Sequence, residues 1–137
     1  MKPLPGGYQI VGALCIAHAA YMFFLTVGVY KMHTSTHKAE WLLTLSPIGT
    51  LLGGLLLLRS RTTLQWTASG VLILSGILLI WQAVHFMNAM IDTMNRDQTA
   101  VLGVLLLFPV MVLPAAIVGP TALATGALLC CRLARSV

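Results

Sequence analysis

An all-α integral membrane protein, a four-helix bundle whose fourth helix is kinked or broken at Pro109, Pro114 or Pro120, is the fold class this sequence predicts. Three observations predict it. The 137 residues are 58% hydrophobic and 8% charged, with a mean hydropathy of +0.93. Too few polar side chains remain to coat a water-soluble globule of this size. Four charge-free apolar stretches are each long enough to cross ~30 Å of hydrocarbon. The eight basic and three acidic residues all fall between those stretches or at the chain ends.

The first span is expected over residues 8–30, with Tyr8 and Tyr30 suited to the two lipid–water boundaries, ring inward and hydroxyl outward. Lys2, the apolar run after it and Ala17-His18-Ala19 imitate a signal peptide with a small-residue cleavage site. Apolar sequence continues past that site to Tyr30, so the span is expected to stay uncleaved. A polar loop, Lys31 to Glu40, follows. The second span, residues 41–58, holds Pro47 and Gly53-Gly54 and, at roughly 27 Å, only just reaches across.

Arg59 to Thr63 make a tight connection that suits an antiparallel pair. The third span covers residues 66–90 and grows more polar towards its far end through Gln82, His85, Asn88 and Asp92. After a polar loop from Asp92 to Thr99, the fourth apolar stretch occupies residues 100–131. At ~48 Å of continuous helix it exceeds the membrane core yet is too short for two spans. Each of its prolines removes an intrahelical donor and obstructs the preceding turn, so a kink or break is expected.

Lys2, Arg59, Arg61, Arg132 and Arg135 fall on one face, against Lys31, Lys38 and Arg96 on the other. The positive-inside rule then puts both termini in the cytoplasm. Glu40, Asp92 and Asp97 share the outer side with its three bases, so the formal +5 resides on the inner face. The pI near 9.6 therefore reads as topology. No basic run or aromatic-interleaved basic patch marks a nucleic-acid partner.

Small residues that let helix backbones approach occur at Ala13/Ala17, Gly49/Gly53, Ser69-Gly70 and Ser75-Gly76, and internal packing is their expected role. His18 is the one histidine near the middle of a span. An intramembrane ionisable group costs enough to be a functional suspect, so His18 is the candidate for binding a cofactor, with a hydrogen bond to a neighbouring helix as its bland alternative. Haem held between His18 and His85 is disfavoured by depth, because the two differ by roughly 13 Å in height.

A second cluster gathers at the outer boundary: His33, His37, His85, Met87, Met90 and Met94. Imidazole and thioether donors favour Cu(I), and His33 and His37 share one helical face at i, i+4. Methionine is equally ordinary apolar filling. Cys15, Cys130 and Cys131 form neither a CxxC nor a secreted-type framework.

The chain carries no G-x-S-x-G, no H-E-x-x-H, no phosphate-cradling glycine loop and no intramembrane carboxylate pair, so the expectation leans away from an enzyme and names no cofactor. The leading expectation is a non-enzymatic accessory, assembly or interaction subunit in the cell (inner) membrane, with the lipid bilayer and either a membrane-protein partner or a second copy as its neighbours. A copper- or haem-handling redox protein using the outer His/Met cluster is the alternative. A small oligomeric transporter or channel comes third.

Overall fold

The protein is described from a computed structural model covering residues 5–30, 37–58 and 62–136. Those residues are almost entirely helical and contain no strand. Helix α1 is Gly6–Tyr30, α2 is His37–Leu57 and α3 is Thr62–Arg96. A single 3-10 turn, Gln98–Ala100, leads into α4, Val101–Met111, and then α5, Leu113–Ser136. Two helices extend past the bounds that charge placement alone indicates, since Lys38 and Glu40 lie inside α2, and α3 runs through Asp92 to Arg96.

Among the described residues, three segments are long and apolar enough to cross a membrane: Gly6–Leu25, Thr63–Arg96 and Val101–Ser136. α2 adds a shorter apolar run, Pro47–Leu57. The helical assignment of the last segment lapses only at Val112, between Pro109 and Pro114. Backbone bonds run through the lapse, from Val112 N–H to the Phe108 carbonyl and from Ala116 N–H to the Val112 carbonyl, both at 2.9 Å. Pro120 sits within α5 without interrupting it.

Each helix meets its neighbours through small residues. α3 and α5 make the most intimate pair. The α3 residues that meet α5, Ser69, Ile73, Gly76 and Ile80, advance by alternating steps of four and three. On α5 the buried Ala115, Val118, Ala122, Thr125 and Leu129 do the same. This is the 3.5-residue repeat of a left-handed pair of helices. Antiparallel sense follows from the contacts, because Gly126 lies against Ser69 and Ile73 while Gly119 lies against Leu79 and Ile80.

A Cβ placed on Gly76 would come within 2.7 Å of both the Gly119 carbonyl oxygen and the Leu123 nitrogen, so only glycine lets the two backbones touch there. The Ser69 hydroxyl adds a 2.7 Å hydrogen bond across the pair to the Gly126 carbonyl. α2 lies on the other side of α3, with Gly49 against Ser75 and Gly53 against Leu72. α1 packs on α2 where a Cβ on Gly54 would stand 2.7 Å from the Gly12 carbonyl oxygen.

Two of the expected packing pairs are corrected here. Ala13 and Ala17 are both exposed, and the close approach from α1 is made by Gly12 with Cys15. Gly70 has open space around it, while its neighbour Ser69 is buried in the α3–α5 seam. A small side chain permits close packing without saying which face will use it.

α1 completes the arrangement by touching α4 and α5 at two heights. The Tyr21 hydroxyl donates to the Val110 carbonyl at 2.8 Å. That carbonyl lies four residues before Pro114, which has no N–H to offer it. Lower down, the Arg132 guanidinium lies 6.0 Å from the centroid of the Tyr8 ring. The turn after α3 is capped by Asp97, whose carboxylate accepts from the Thr99 hydroxyl at 2.6 Å and the Thr99 N–H at 3.0 Å.

Two expectations follow. Gly76→Ala should lower the thermal midpoint in detergent, by about 1–3 kcal/mol of overpacking, whereas Gly70→Ala on the open face should raise it through better helix propensity. The Thr99 hydroxyl, and then the Thr99 N–H, hold the Asp97 carboxyl below the usual carboxylate range. Because its folded pKa is depressed, the cap's contribution is present above the ordinary aspartate pKa and is lost as pH falls through the lower folded value. Carboxyl NMR titration of the wild type and of Thr99→Val should show the variant titrating at higher pH.

Candidate functional site

Seven polar side chains lie among the apolar residues of the described interior, beneath a surface rich in large apolar side chains. His18, Ser69, Ser75, Gln65, Gln82, Thr50 and Thr125 are all buried. Phe24 at 77% exposure and Ile10 and Leu102 at 71% lead a surface of large apolar side chains. Short hydroxyls settle their hydrogen bonding locally: Thr125 donates to the Thr121 carbonyl at 2.7 Å and Thr50 to the Pro47 carbonyl at 3.0 Å. Their side chains are short enough to fold back onto the preceding turn.

His18 and Gln82 have no such recourse. Both are at least nineteen-twentieths buried, at 5% and 4% exposure. Both imidazole nitrogens of His18, and both the amide nitrogen and oxygen of Gln82, are without a hydrogen-bond partner among the described residues. A buried polar group left unpaired costs on the order of 1–3 kcal/mol, so these two positions stand out chemically from the rest of the interior.

His18 also borders a shallow groove of about 360 Å³ between α1 and α5. Leu14, Ala17 and Tyr21 of α1 form one wall, and Leu113, Pro114, Ile117 and Val118 of α5 form the other. The groove exists because α5 starts beside a proline while α1 faces it with an alanine at position 17. His18 is the thirteenth of 25 residues in α1, which places the imidazole midway along the helix.

The outer His/Met cluster is placed only in part. His33 lies outside the described residues, and His37 is described only as the first residue of α2. Met87, Met90 and Met94 follow one another along one face of α3, at i, i+3 and i+7. His85 precedes Met87 by two residues, or about 200° of helical turn, and stacks on Trp81 with ring centroids 5.2 Å apart and 9° between planes. α3 by itself therefore separates His85 from Met87. Met90 packs against the buried core while Met87 is exposed. Among the described residues no three His, Cys, Asp or Glu side chains gather where an ion would be held.

Gln82 is the residue that sequence reasoning passed over, as one step in the rising polarity of α3. Its signal is the seven-residue register that it shares with Ala68 and Ser75, which turns it inward. Comparisons with protein-family models, with curated proteins and with solved structures find no match to this chain.

Replacing His18 with leucine removes two unpaired nitrogens and keeps comparable volume. The expected outcome is a thermal midpoint in detergent equal to or above that of the wild type. A large fall would mean that the imidazole holds the fold together.

Proposed function

We propose that this chain is a multi-pass integral membrane protein, a four-helix bundle of α1, α2, α3 and the α4–α5 segment, kinked near Pro109 and Pro114, with both ends in the cytoplasm. We read its role as that of a non-enzymatic accessory, assembly or interaction subunit in the cell membrane. The large apolar side chains on the surface, over an interior that includes polar ones, carry this reading. His18, Gln65, Gln82 and four serines and threonines are buried, while Ile10, Phe24, Leu74, Leu102 and Leu106 are among the large apolar side chains left exposed. That is the arrangement expected where the solvent is lipid and helices are joined by small residues and interhelical hydrogen bonds.

Three features support an interaction role over a catalytic one. The glycine and serine seams are occupied within the chain itself, so the remaining exposed faces are free for lateral neighbours. α4 presents Leu102, Leu105, Leu106 and Phe108 outward. Beyond the membrane-length helices the sequence offers only short polar connections. A copper-handling reading draws on the thioether face of Met87, Met90 and Met94, which would need a histidine from the segment before α2 to complete a site.

Reporter fusions after Ser60 and at Val137 should read cytoplasmic, and fusions after Thr36 and Asn95 external. A pull-down in mild detergent should recover a stoichiometric membrane-protein partner or a second copy of the chain. Recovery of a lone monomer that retains one equivalent of Cu(I) after metal loading would replace the subunit reading with the copper one.

A further inference from the structure

We propose that the groove between α1 and α5 binds a lipid-soluble carbonyl compound of the quinone class, with His18 as the hydrogen-bonding handle. The inference rests on the membrane placement argued above and adds a ligand to it. Four observations converge on it. The groove, at about 360 Å³, has the capacity of a small-molecule site and almost wholly apolar walls. His18 forms part of the wall and carries two shielded nitrogens with no partner among the described residues. The groove opens laterally, beside the exposed Leu14, Leu113 and Ile117. Its polar handle sits midway along a 25-residue helix.

The last observation selects the chemistry. At 1.5 Å per residue, His18 lies about 18 Å from either end of α1, well below the level at which phospholipid ester carbonyls reside. A ligand that reaches it must carry its polar atom into the hydrocarbon. A prenylated quinone does so, because its head group is an uncharged flat ring bearing carbonyl oxygens. The neutral imidazole has one N–H to donate to such an oxygen. No hydrogen bond among the described residues holds the ring in its observed orientation, so a turn about the Cβ–Cγ bond towards the groove would give none up. The Tyr21 hydroxyl oxygen, whose proton is already committed to the Val110 carbonyl, remains able to accept from the hydroxyl of a reduced head group. The proposal is one of binding, and no electron transfer step is part of it.

The test uses the full-length chain reconstituted in phosphatidylcholine vesicles and a photoreactive azido-quinone with a short alkyl tail. Expected are co-flotation of the chain with the vesicles, saturable labelling of peptides from α1 and α5, and displacement by decylubiquinone. His18→Leu, expected to fold at least as well as wild type, should weaken labelling roughly tenfold, the scale of one lost hydrogen bond in a dry site. Ala17→Trp, which fills the groove from its exposed side, should abolish labelling, and Leu74→Trp on an exposed face of α3 should leave it unchanged.

Failure to co-float overturns the membrane reading and this proposal together. Co-flotation without saturable labelling, or labelling indifferent to His18→Leu and Ala17→Trp, overturns the proposal alone. Displacement by oleic acid as effective as that by decylubiquinone overturns the quinone assignment in favour of a fatty acyl ligand.

Discussion

The backbone contact between α3 and α5 is the constraint on which the other placements depend. On the membrane placement proposed above, lipid supplies no hydrophobic force to press one helix on another, and association rests on close packing and on hydrogen bonds that cross between helices. Gly76 touching Gly119 and Leu123, and Ser69 bonding to Gly126, provide both in one seam. That seam fixes the height of α5 relative to α3. The height of α5 sets where the proline-freed carbonyl of Val110 lies, and hence where Tyr21 of α1 attaches. α2 is then gripped between α1 and α3 by Gly54 and Gly49.

Within that frame the polar interior divides into two kinds. Serine and threonine side chains reach a carbonyl one turn back or across the seam, and so are neutral passengers or modest glue. Histidine and glutamine carry their polar atoms further from the backbone and need a partner from elsewhere. A chain selected only for stability would have little reason to keep an imidazole and a carboxamide unpaired at such depth, since apolar residues of like size fit with less penalty. The contrast between the satisfied hydroxyls and these two groups is what separates packing from chemistry here.

Much of the helical layout was legible in the sequence because charge and hydropathy act over whole segments. Arg59 and Arg61 between two apolar stretches, or Asp92 to Asp97 before another, need no tertiary information to be read as breaks. Facing is harder. In a soluble helix polarity reports the outside, but in a uniformly apolar helix the inward face is marked only by size and register. Ala13 and Ala17 were therefore indistinguishable from Gly12 as packing residues, and the α5 seam was hidden behind prolines that drew attention to breakage. His18 was legible because a mid-span histidine is rare. Gln82 was not, because the polar residues after it made a gradient that concealed its register. The outer His/Met cluster shows a further limit of reading along the chain: residues close in sequence, such as His85 and Met87, are turned to different sides by the helix that carries them.

The two ties from α1 to the α4–α5 segment have a mechanical consequence. Tyr8 meets Arg132 near one end, Tyr21 meets Val110 further along, and the groove-lining Leu14, Ala17 and His18 lie between them. α1 is thus strung like a bow at two points, and the gap beneath it widens only if a helix bends. For the binding proposed above, a slot held in this way would discriminate by thickness more than by length.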